Sequence, residues 1–93
     1  MKASDIAPRS GWTGNLDGKE VAIFNDGQKL IVLENVCTHR GCQTEWNAAE
    51  STWDCPCHGS RYHSDGAVLR GPAPQSLPQL SHSVAADGEI RLT

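Results

Sequence analysis

The stretch from Cys37 to Tyr62 limits what this chain can become more than any other feature. It opens with Cys37-Thr38-His39-Arg40-Gly41-Cys42 and closes with Cys55-Pro56-Cys57-His58-Gly59-Ser60-Arg61-Tyr62. All four cysteines and two of the four histidines lie inside it. Each half offers a thiol and an imidazole at short spacing, as Cys37-x-His39 and Cys55-x-x-His58, so two loops can clamp a metal centre from opposite sides. Thiolate and imidazole together suit zinc or an iron–sulfur centre, and at this level both readings stand. A zinc-binding structural or interaction module is therefore the competing account.

The remaining composition narrows the class. Ninety-three residues make one domain, 1–93, and a chain this short gains from a metal or a covalent staple. The formal net charge of −3 and the scattered lysines and arginines argue against nucleic acid. No run approaches the ~18 apolar residues of a membrane span. The opening Met1-Lys2-Ala3-Ser4-Asp5 has no apolar core of a signal peptide. A cytoplasmic chain is expected, and in that compartment a cysteine cluster points to metal rather than to disulfides alone.

Short apolar runs separated by turn signals predict an all-β fold. Val21 to Phe24 and Leu30 to Leu33 read as paired strands and as the centre of the core, joined by a tight turn at Asn25-Asp26-Gly27. Asp17-Gly18 and Ser64-Asp65-Gly66 are further turns. Thr44 to Trp46, Thr52 to Asp54 and Ala67 to Leu69 read as short strands, with one helical turn expected across Asn47 to Ser51. Ser81 to Ala86 and Glu89 to Leu92 flank Asp87-Gly88 as a last hairpin. No long window carries a helical period. The expected architecture is an antiparallel base from both chain ends, 1–35 and 67–93, carrying a metal-binding insertion at about 36–66.

The two boxes together resemble the ligand loops of Rieske [2Fe–2S] domains. The resemblance covers most of the chain and implies a small antiparallel β sandwich with an inserted cluster-binding subdomain. It implies one [2Fe–2S] cluster, with Cys37 and Cys55 on one iron and His39 and His58 on the other. It implies a disulfide between Cys42 and Cys57, as in the branch typical of cytochrome bc-type complexes. Ser60 matches a serine that donates to a bridging sulfide, and Tyr62 a tyrosine that donates to the sulfur of Cys37. Gly71-Pro72-Ala73-Pro74 resembles the proline loop that covers the cluster. The segment from Trp46 to Cys55 is similar to the C-terminal Rieske domains of bacterial FAD-dependent oxidoreductases.

The implied function is one-electron transfer, as a carrier or as a module of a larger oxidoreductase. The implied partner is a redox protein, with a flavoprotein or an oxidoreductase subunit as candidates. No acid–base pair or substrate pocket can be argued from the residues, so no catalytic residue is assigned. The family's potentials run from about −150 to +300 mV, and the two hydroxyls place this chain on the positive side. Arg40 stands where the bc-type branch carries leucine, which weakens any reading as a quinol oxidase. Trp12, Trp46 and Trp53 are expected in the core or between subdomains, and His63 and His82 in solvent.

Overall fold

A computed structural model describes residues 1–36, 42–57, 59–71 and 75–93. Its described residues form nine strands, all paired antiparallel, after a 3-10 turn at Ala3–Asp5. The first sheet joins β1 (Gly11–Leu16), β2 (Lys19–Asn25) and β3 (Leu30–Glu34) in that order. The second joins β4 (Glu45–Asn47), β5 (Thr52–Asp54), β6 (Arg61–His63) and β7 (Val68–Arg70). A hairpin of β8 (His82–Val84) and β9 (Ile90–Leu92) makes the third.

The nearly continuous apolar run of β2 has a direct cause. Side chains alternate along a strand, and both faces of this one are covered. Val21 and Ile23 point into one core with Ile6, Leu16, Val32 and Ile90. Ala22 and Phe24 point into another with Leu33, Trp53, Cys55, Tyr62 and Leu77. The first core joins the base sheet to the chain's start and to β9. The second joins it to β5 and β6, so Cys55 is rooted in packed side chains and is 2% exposed.

Aromatic rings make that second junction. Trp46 lies against Trp53 at 4.7 Å between ring centroids and against Phe24 at 5.3 Å. A Cβ at Gly11 would enter both tryptophans, with Trp46 Cδ2 at 2.5 Å, so only glycine lets β1 pass beneath them. Trp12 packs instead on the opposite core.

Several local expectations shift. β1 carries two glycines and was not foreseen; its pairing with β2, from Gly11 opposite Phe24 to Leu16 opposite Lys19, holds it extended despite weak propensity. β6 was also not foreseen. The helical turn expected across Asn47 to Ser51 is instead a tight hairpin turn. The Glu50 N–H donates to Asn47 Oδ1 at 3.2 Å, and Ser51 has a φ of 57°.

Candidate metal centre

The second box sits at the end of a hairpin. β5 and β6 pair Thr52 with His63, Trp53 with Tyr62 and Asp54 with Arg61. The loop between them closes on itself: Cys55 N–H donates to the Ser60 carbonyl at 2.8 Å, and Gly59 N–H to the Cys55 carbonyl at 3.1 Å. Ser60 and Tyr62 are both fully buried. Gly71, at φ 101°, lies directly behind Ser60; a Cβ there would collide with the Ser60 Cα and come within 2.9 Å of its nitrogen.

Beneath this loop an ion pair fastens the strands. Arg61 Nε donates to Asp54 Oδ1 at 3.0 Å, and its Nη2 to Glu50 Oε2 at 2.8 Å. Asp54 also accepts from Thr52 Oγ1 at 2.7 Å and Asn47 Nδ2 at 2.8 Å. Burial pushes the Asp54 carboxyl up, but the hydrogen bonds from Asn47, Thr52 and Arg61 and the Arg61 charge outweigh it and hold the group below its usual value.

The first box leaves the end of β3 and returns to β4. At its stems stand Asn35 and Thr44, both buried. Thr44 donates from its N–H and its hydroxyl to Asn35 Oδ1, at 2.8 and 2.7 Å. The two loops are joined covalently by the expected disulfide between Cys42 and Cys57, whose Cα atoms are 6.5 Å apart.

The sulfurs of Cys42, Cys55 and Cys57 lie within 4.8 Å of one another. This is not a three-thiolate metal site, because two of the sulfurs are bonded to each other. It leaves Cys55 as the thiol ligand that the second loop can supply, set beside the disulfide. Cys37, His39, Arg40, His58, Pro72 and Pro74 lie outside the described residues. The residues in place fit an iron–sulfur group: a buried thiol, two buried hydroxyl side chains, Ser60 just before β6 and Tyr62 within it, and a covalent tie between the loops.

Of the other expectations, Trp53 is buried at the junction, and Trp12 and Trp46 are half-buried. His63 is exposed and His82 half-buried. Asn35, Thr44, Asp54 and Arg61 were not singled out from the sequence. Their signal was positional: Asn35 and Thr44 flank the first box, Asp54 immediately precedes the second and Arg61 lies near its end.

Comparison with known proteins agrees with this arrangement. The Rieske [2Fe-2S] domain model matches residues 1–81. Cytochrome b6-f complex iron-sulfur subunit 1 of Nostoc sp. is 57% identical over 81 residues, covering 84% of this chain and 45% of that one. The Bacillus subtilis iron-sulfur protein YhfW is 43% identical over 81 residues, covering 86% of this chain and 16% of its own. The chain thus spans less than half the length of either curated relative. The crystal structure of the plasma membrane Rieske protein PetC3 from Synechocystis superposes with a TM-score of 0.82 at 29% identity, covering 99% of this chain and 94% of that one. No helix among the described residues is long and apolar enough to cross a membrane. The zinc reading is not favoured, since the family match and the disulfide both belong to the iron–sulfur account. Its two boxes, its linked loops and its similarity along 81 residues make this chain a member of the Rieske [2Fe–2S] domain family.

Proposed function

We propose that this domain transfers single electrons through one Rieske-type [2Fe–2S] cluster, as a carrier or as the electron-transfer module of a larger oxidoreductase. The observation that carries the reading is the disulfide-tied pair of loops with Cys55 buried at their junction. A cluster bound there would supply one-electron chemistry. Cys37 and Cys55 would hold one iron through their thiolates, and His39 and His58 the other through their imidazoles. The buried hydroxyls of Ser60 and Tyr62 would donate to cluster and thiolate sulfur. Reduction adds negative charge, so such donors favour the reduced form and raise the potential. The junction core of Trp53, Tyr62 and Leu77 keeps water from the inner side.

The partner is a redox protein, with a flavoprotein or an oxidoreductase subunit as the specific candidates. The module reading is supported by the 16% share that the matched segment occupies in YhfW. The cytoplasmic setting expected from the sequence belongs to the same reading. The purified protein is expected to be red-brown, with iron and acid-labile sulfide in equal amounts and a reversible one-electron wave in protein-film voltammetry. A colourless protein containing zinc would refute the reading.

A further inference from the structure

Asn35 and Thr44 stand just outside the first loop, and the proposed chemistry does not use them. Asn35 is 1% exposed and Thr44 2%. The Asn35 amide holds Thr44 on every side. Its Oδ1 accepts from the Thr44 N–H and hydroxyl, and its Nδ2 donates towards the Thr44 carbonyl at 3.4 Å. The Asn35 main chain is itself anchored, donating its N–H to the Glu20 carbonyl in β2 at 2.9 Å. The preceding residue, Glu34, donates its N–H to the Pro78 carbonyl at 2.9 Å. One stem is thus fixed to the base sheet, and the Asn35 side chain ties the other stem to it.

The chemistry of this choice is specific. An amide oxygen has two lone pairs for the two Thr44 donors, and the amide nitrogen faces the carbonyl. The group is neutral, so it sits in a dry position without a counter-ion. Between the stems runs the segment that carries Cys37 and His39, and near its end Cys42 is tied to Cys57. Fixing both ends of a chain segment lowers the conformational freedom left to it.

We infer that Asn35 is a positioning residue for the metal centre: its amide sets the separation of the two stems and thereby the grip of Cys37 and His39 on the cluster. This rests on the proposed function. Loss of the amide would leave two buried donors of Thr44 without a partner, and the stems would part to let water reach them.

The test compares loaded proteins well below their unfolding temperatures. The readouts are iron release to excess chelator and the EPR spectrum of the reduced cluster. Asn35→Ala is expected to lose iron about tenfold faster than wild type, equivalent to roughly 1.4 kcal/mol, with broadened g values. Ile90→Ala, in the core on the far side of the base sheet, serves as a variant of lowered stability without a link to the loop. Should Asn35→Ala and Ile90→Ala release iron equally fast at matched stability, with unbroadened spectra, Asn35 only stabilises the fold and the inference falls. If Asn35→Ala does not fold, Thr44→Val takes its place: faster release with a broadened spectrum supports the inference, and wild-type behaviour overturns it. A wild-type protein without iron and sulfide overturns the functional reading itself, before any variant is compared.

Discussion

The stems of the first loop meet through Asn35 and Thr44, both buried and neutral, whereas those of the second meet through Asp54 and Arg61, which water partly reaches. Their side chains are 34% and 17% exposed. The first fastening depends on dryness and hydrogen-bond geometry, so salt should leave it unchanged. The second adds Coulomb attraction, with Glu50 and Thr52 completing the network, and should weaken as ions screen it. The difference follows from position. The first loop leaves the end of β3, beside the buried side chains of Val21 and Leu33. The second emerges from β5 and β6, whose outer face is open. The two loops are otherwise joined by one covalent bond.

That bond should carry the largest effect. The double variant Cys42→Ser/Cys57→Ser opens a loop of sequence separation 15. In the chain-entropy model such a loop is worth about 3 kcal/mol. Urea unfolding should show that loss, and reductant should change the wild-type midpoint but not the variant's. Equal midpoints would mean that the stems alone hold the loops, and the comparison would lose its third member.

Next in size is Gly71→Ala. At φ 101° an L side chain is strained by roughly 1–2 kcal/mol. The added Cβ also presses on the backbone of Ser60, so the second loop must shift while the first does not. A lower melting temperature together with a changed reduction potential is expected. A melting change alone would show that the Gly71 contact does not reach the metal centre.

Arg61→Met sharpens the contrast between the stems. It should lower stability at low salt, and the difference from wild type should shrink towards 1 M salt, where screening acts over about 3 Å. The cost of Asn35→Ala should stay constant over the same range. A salt-independent Arg61→Met penalty would erase the distinction drawn here.

The smallest effects concern tuning. Ser60→Ala and Tyr62→Phe each remove one buried hydroxyl from the second loop. About 1.4 kcal/mol corresponds to ~59 mV for one electron, and only the difference between redox states counts, so each should lower the potential by roughly tens of millivolts. An unchanged midpoint in film voltammetry would remove that residue from the tuning role.

Much of this was legible in the chain. The runs Val21 to Phe24 and Leu30 to Leu33 announced the base because a strand buried on both faces must be apolar throughout. The two boxes announced the site because few other needs place thiol and imidazole so close. β1 stayed hidden, since Gly11 and Gly14 serve tryptophan packing rather than strand propensity. β6 stayed hidden because two of its three residues, Arg61 and Tyr62, lie inside the second box, where site chemistry masks alternation. Asn35 drew no reading from the sequence and Thr44 read as the start of a short strand; only their burial together reveals a fastening.

The central claim is that two cysteines and two histidines, one of each from either loop, hold the cluster. It is tested most directly on protein grown with 15N-histidine and reduced with dithionite, by pulsed EPR of the paramagnetic state. The account predicts strong hyperfine coupling to two histidine nitrogens, with one removed in His39→Cys and the other in His58→Cys. A reduced cluster without histidine nitrogen coupling would contradict it.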